Sequence, residues 1–257
     1  MDWARQIHIK SPAEIEIMRE AGRINAKVLA AVRELIHPGI TTADLDAAAE
    51  DMLRKNNVVS PFKGYPGPYP FPASITVSVN SELVHGIPSK KRRMRAGDIV
   101  SIDCGTVYKG FIADSAFTAG TGDLSPLAEK LLGVTEGALY AGIEKMRSGN
   151  RTGDVSAAIQ QYIESRGFQV VREYTGHGVG RQMHEGPQVP NYGIPGRGML
   201  LRPGMTIALE PMVLVGTPAT RLLADQWTVV SADGSLTAHF EHTVAITEGD
   251  ALILTVL

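Results

Sequence analysis

The chain has one cysteine, Cys104, so it cannot form an internal disulfide, and that usage fits a reducing compartment. It also lacks excess charge: 25 Lys and Arg stand against 27 Asp and Glu, a net of −2. Such a balance provides no global attraction to nucleic acid or to an anionic membrane. No uncharged apolar run approaches the roughly 20 residues needed to cross a bilayer. The opening MDWARQIHIK lacks the apolar centre of a signal peptide. A soluble, cytoplasmic protein is therefore expected. What is present is ample for a core: 257 residues, 44% of them hydrophobic, enough for one large domain or two small ones.

Ser11-Pro12-Ala13-Glu14 has the form of a capping box with proline at the first helical position. Ile17, Ala21, Ile24, Val28 and Val32 follow at helical spacing, predicting a helix to about Ile36. A second helix is expected from Thr41 or Thr42 to the Lys55-Asn56-Asn57 stop. Residues 60–72 are rich in Pro, Gly, Tyr and Phe and should be irregular. Residues 74–79 read as a strand and 80–88 as a loop carrying His85. Residues 98–103 and 107–114 read as a hairpin around Lys109-Gly110. Two more helices, 124–146 and 154–165, precede a strand-rich remainder at 168–174, 205–209, 227–231 and 239–247. Residues 39–49 align without gaps on 149–159, each after a long helix and before a shorter one, suggesting two related halves. Antiparallel-looking strands among helices argue an α+β fold rather than a parallel βαβ sheet.

His177 lies between Gly176 and Gly178, where missing Cβ bulk lets a side chain enter a confined site. Read locally, this is a glycine-rich turn with a structural histidine. Four carboxylates change the balance. Asp103, Asp114, Glu210 and Glu241 each fall in or beside an apolar, β-like run, where an unpaired charge is costly. Asp103 and Asp114 fall on the two arms of the hairpin, a placement that would let them face each other across the turn. Four carboxylates and one imidazole suit Mn, Fe, Co or Zn, and two divalent ions balance the charge that one would leave in excess.

These residues lie in SVNSELVHGIP, DCGTVYKGFIAD, GHGVGRQMHEGPQVPNY, PGMTIALEPM and the segment from Trp227 to FEHTV. In order and spacing the motifs resemble type I methionine aminopeptidases over nearly the whole chain. The resemblance implies a pita-bread fold, two pseudo-symmetric halves around a dinuclear site, in one catalytic domain of residues 1–257 with 1–10 as an arm. It implies Asp103, Asp114, His177, Glu210 and Glu241 as metal ligands, with Asp114 and Glu241 bridging. His85 and His184 take the catalytic histidine positions near the substrate, and Glu210 doubles as the proton shuttle. Trp227, Met183, Phe71 and Thr76 are implied around the methionine side chain. The form is the short, bacterial-like one, without a zinc-finger extension or a long insertion between Glu210 and Glu241.

The implied partner is the N-terminal methionine of new polypeptides whose second residue is small, cleaved by a monomer without specific nucleic acid. The basic run 90–95 reads as a solvated turn, with a transient ribosome contact as its functional alternative. Some features depart from the family pattern. Val84, Thr76 and Thr175 stand where cysteines are common, Met183 stands where an aromatic is common, and residues 64–72 look inserted. Two rivals remain at this level, an Xaa-Pro peptidase on the same fold and a non-catalytic peptide- or RNA-binding relative.

Overall fold

The structure is a computed structural model and describes residues 6–257; the first half of the expected arm, residues 1–5, lies outside them. The first half of the chain comprises α1 (Pro12–Arg33), α2 (Thr42–Lys55), β1 (Thr76–Val79), β2 (Glu82–Val84), β3 (Ile99–Tyr108) and β4 (Phe111–Gly120). The second comprises α3 (Pro126–Ile143), α4 (Thr152–Glu164), β5 (Gln169–Val170), β6 (Thr175–Gly178), β7 (Glu185–Pro190) and β8 (Thr206–Leu209). Short strands follow: β9 (Met212–Leu214), β10 (Thr220–Leu222), β11 (Val229–Ser231), β12 (Thr237–His239), β13 (Glu241–Ala245) and β14 (Leu252–Ile253).

The helix starts follow their local chemistry. Ser11 Oγ accepts from Glu14 N–H while Glu14 Oε2 accepts from Ser11 N–H, so two orphan donors of α1 are satisfied reciprocally. Thr41 and Asp44 do the same for α2. α1 stops at Arg33, three residues before the expected end, because residues 35 and 36 turn with i→i−3 bonds to Val32 and Arg33.

The named strands pair antiparallel throughout, in a main sheet ordered β1-β3-β4-β13-β8-β6-β7, with β14 beside β13. Ile24, Val28 and Val32 of α1 share one core with Leu131 and Leu139 of α3, Ile159 of α4, and Ile102, Cys104, Ile207 and Leu209 of the sheet. Each such aliphatic side chain contributes about 1.5–3 kcal/mol on burial. All the helices thus cover one face and leave the other for chemistry.

Three expectations need correction. Residues 80–88 are not all loop, since β2 pairs with β11 in a small separate sheet. Residues 168–174 and 239–247 are not continuous strands: the first breaks after Val170, and the second splits at Phe240 between β12 and β13. The glycine-rich stretch at His177 is not a turn but strand β6, paired on both sides. A Cβ at Gly178 would lie 2.1 Å from Gly186 O and one at Gly176 2.8 Å from Ala208 O, so the glycines serve close strand approach.

The internal repeat is matched bond for bond. Gly39 N donates to Met94 O and Met94 N to Ile40 O; Gly149 N donates to Leu201 O and Leu201 N to Asn150 O. Gly39 and Gly149 take φ of 98° and 90°, a region where L side chains are strained.

Candidate metal centre and peptide pocket

Strand alternation sets the site. Ile102 and Cys104 face the helix-side core, so Asp103 between them points to the opposite face. Asp103 pairs with Ala116, and Ala116 pairs on its other side with Glu241, placing two carboxylates in one row across three strands. A second row runs from His177 through Ala208 to Thr243. Direct cross-strand partners share a face, so His177 joins the carboxylates there. Asp114 lies opposite Gly105, two residues along from the first row. It is therefore diagonal to Asp103 rather than facing it. The cause is the Lys109-Gly110 turn, whose φ values of 47° and 78° are those of a two-residue hairpin that fixes this register. Thr243 Oγ1 accepts from Asp114 N and donates to Asp114 O, both at 2.8 Å, pinning the aspartate's backbone.

Glu210 follows β8 and precedes Pro211. Its carboxylate lies 3.6 Å from His177 Nε2, too far for a hydrogen bond and near enough to share a cation. Ligand atoms of Asp114, His177 and Glu241 all lie within 4.8 Å of one another. Asp103 Oδ1, Asp114 Oδ1 and Glu241 Oε1 are buried and have no hydrogen-bond partner among the described residues. Without compensation such atoms are costly. An orphaned set of carboxylate oxygens beside a neutral imidazole fits a hard to borderline divalent ion.

The electrostatics agree. Burial, then the charges of Asp114 and Glu210, pushes Asp103 well above the usual carboxylate range. Burial does the same to Glu210 and Glu241, reinforced first by Asp114, and lifts Asp114 to about 7. Burial lowers His177 to about 3, aided by nearby His184. His177 Nδ1 lies 2.9 Å from Gly178 O. A carbonyl only accepts, so the ring proton sits on Nδ1 and Nε2 offers its lone pair to the cluster.

A pocket opens over the five residues, and every other side chain named from the sequence lines it: His85, His184, Thr76, Phe71, Met183 and Trp227. His85 has a backbone φ of 60°, a left-handed conformation that is uncommon outside glycine and marks strain at a site. Phe71 meets Trp227 edge-on at 5.2 Å between ring centroids. A Cβ at Gly67 would lie 2.4 Å from the Trp227 ring, so the irregular loop presses directly on the indole. The basic run lies elsewhere: Lys91, Arg92, Arg93 and Arg95 are exposed in a groove with Asn80 and Asp98.

Three lining or adjacent residues were not singled out by number. Phe62 and Tyr65 come from the irregular loop, whose aromatic rings suit a pocket wall and do form one. His239 is buried, with Nε2 3.6 Å from Glu210 and 3.8 Å from Glu241. Its place two residues before Glu241 could have drawn notice, because that spacing favours a shared face.

Residues 16–248 match the model of metallopeptidase family M24. The chain is 51% identical to a methionine aminopeptidase of Clostridium acetobutylicum over 97% of this chain and 98% of that protein. A crystal structure of methionine aminopeptidase from Thermotoga maritima superposes with a TM-score of 0.95 at 47% identity, covering 98% of this chain and all of that one. A prolidase from Pyrococcus furiosus shares the fold alone, with a TM-score of 0.78, 24% identity, and 97% of this chain matched to 65% of that one. A family model spanning most of the chain, together with half of all positions shared along the full length of a relative, means that the chain belongs to metallopeptidase family M24, among the methionine aminopeptidases.

Proposed function

We propose that the enzyme releases the N-terminal methionine of polypeptides whose second residue is small, by hydrolysis at the face carrying His177 and the four carboxylates. The observation that carries this reading is the convergence of five donor side chains, three with orphaned oxygens, beneath an aromatic pocket. Asp103, Asp114, His177, Glu210 and Glu241 would hold two divalent ions of the Mn, Fe, Co or Zn type. Bound there, the ions supply Lewis acidity and an activated water. Glu210, whose carboxylate lines the pocket, would take the attacking water's proton and pass it to the leaving amine. His184 donates to the peptide oxygen as negative charge builds on it. His85 faces the leaving side. Trp227, Phe71, Met183 and Thr76 receive the thioether side chain, whose polarisable sulfur packs well against aromatic rings.

Residues 1–257 act as one catalytic domain on this reading, a monomer working in the cytoplasm. The basic run 90–95 is read first as a solvated turn, with a transient ribosome contact as the alternative, and co-sedimentation after its charges are neutralised decides between them. The central experiment measures methionine release from Met-Ala-Ser by metal-stripped protein titrated with Mn, Fe, Co and Zn, with Glu210→Ala as control. Release restored by metal and absent in the control supports the reading. Silence with every metal, despite measured metal uptake, overturns it.

A further inference from the structure

We infer that Tyr65 is a positioning residue that fixes His184 in the tautomer with its proton on Nε2, opposite to that of neighbouring His177. The inference rests on the catalytic reading of His184 given above. The two imidazoles lie 4.4 Å apart between ring centroids, tilted by 56°. Each is governed by what stands at its Nδ1. His177 meets the carbonyl of Gly178, which can only accept, so its Nε2 presents a lone pair. His184 Nδ1 meets Tyr65 Oη at 2.7 Å.

A phenol oxygen shares its lone pair with the ring and accepts weakly, while its O–H donates well. An imidazole nitrogen without a proton is the stronger acceptor of the two. The Tyr65 hydroxyl therefore donates into Nδ1, and the His184 proton resides on Nε2. One imidazole is thereby made a base toward the carboxylate cluster and the other a donor toward a substrate oxygen. The reverse tautomer of His184 would turn a lone pair toward that oxygen as its charge grows.

Tyr65 is well placed for this task. Its N–H donates to Phe62 O, its carbonyl accepts from Phe71 N–H, and Gly64 N–H donates to Phe71 O, all at 2.8–3.0 Å. The ring stands edge-on to His184 at 75° with centroids 5.6 Å apart. Farther along the loop, Tyr69 Oη donates to Asp225 O at 2.8 Å, beside the Trp227 turn. The hydroxyl is thus carried by a loop anchored at both ends rather than by a free tip.

The test is Tyr65→Phe, which keeps the ring and removes the hydroxyl, in zinc-loaded full-length enzyme containing nitrogen-15 histidine. Two-bond nitrogen–proton spectra then assign each ring. The expected wild-type spectrum has His184 protonated on Nε2 and His177 on Nδ1. In Tyr65→Phe, His184 becomes a tautomer mixture and His177 is unchanged. Turnover of Met-Ala-Ser should fall about 10–100-fold, the usual scale for losing a partner that orients a site histidine, with KM little altered. In a His184→Ala background the same substitution should cost nothing further. A wild-type His184 protonated on Nδ1, an unmixed Nε2 tautomer in Tyr65→Phe, or an equal loss of turnover in both backgrounds overturns the inference. Full turnover in His184→Ala instead overturns the catalytic reading, and the spectrum still decides the tautomer.

Discussion

The two halves of the molecule repeat one frame and use it differently. In both, a left-handed glycine leads into a capped helix and pairs with a loop that opens a sheet strand. In the first half that strand belongs to an unbroken hairpin of two ten-residue arms, and it delivers Asp103 and Asp114. The second half is interrupted: β6 and β7 pair with a register shift at His177/Gly178, and residues 179–184 leave the ladder between them. Regular pairing gives fixed carboxylates. Interrupted pairing frees Met183 and His184 to reach over the pocket. Each half contributes both kinds of side chain, since His177 and Glu210 come from the second and His85 and Phe71 from the first, but regular ladders hold the acids while the interruption lets side chains reach over the pocket.

The sharpest test sets one residue of each half against the other. Asp114→Asn should leave the enzyme without retained metal by atomic absorption and without measurable turnover. His184→Ala should keep its metal and lose about 10²–10³ in turnover. Equal metal loss in both variants would erase the distinction between the regular hairpin and the interrupted segment.

The interrupted half needs an anchor, and Lys10 supplies it. Its Nζ lies 2.5 Å from Glu185 Oε2, both side chains buried, while Glu185 Oε1 accepts from Gln182 N–H and Lys10 N–H donates to Gly204 O. Lys10→Met should cost about 3–5 kcal/mol in urea unfolding, because Glu185 is left as an unpaired buried charge. A change under 1 kcal/mol, about the value of an exposed pair, would show the anchor to be dispensable.

The carboxylates and imidazoles also predict a pH signature for metal-stripped protein. Four carboxylates have folded affinities for protons raised above their ordinary values of 3.8 and 4.5. Each binds more protons folded than unfolded, so each lowers stability as pH rises through its window. His85, His177, His239 and His242 are lowered by burial from 6.5 to about 4, 3, 3 and 4, and each raises stability as pH rises up to 6.5. The two sets oppose each other below 6.5, and only the carboxylates act above it. The midpoint temperature of stripped protein should therefore fall as pH rises above 6.5. Added metal should abolish the fall. A midpoint rising through neutrality without metal would count against a carboxylate-rich centre.

The smallest expected difference lies at the helix caps. Thr41 contributes a hydroxyl to the α2 box, whereas Arg151 offers α4 only its backbone N–H, and Gly196 N–H takes the other carboxylate oxygen of Asp154. Thr41→Ala should cost about 1 kcal/mol and Arg151→Ala less, read from urea midpoints.

Much of this was legible beforehand because it is local or periodic. Capping boxes announce α1 and α2, and a carboxylate amid apolar β residues announces Asp103, Asp114, Glu210 and Glu241. The motifs supplied the rest of the proposed ligand set. What stayed hidden depends on distant strands. Gly176 and Gly178 look like turn residues because their use, letting Ala208 and Gly186 approach, arises only in the folded sheet. Tyr65 carries no local signal of the neighbour it meets 119 residues away, and His239 has only its spacing from Glu241, with none of Glu210. The hairpin itself was evident, but the diagonal placement of Asp114 needed the turn's dihedral angles.

The small residue at the middle of each row has a further consequence. Ala116 separates Asp103 from Glu241, and Ala208 separates His177 from Thr243. Neither has a group that could react, and both are buried. Yet a valine at either would be an ordinary apolar exchange for the fold while its extra methyls would stand where the donors converge. Sequence drift at these positions should be as restricted as at the acids themselves, and a survey of tolerated substitutions would mark two chemically silent alanines as if they were catalytic.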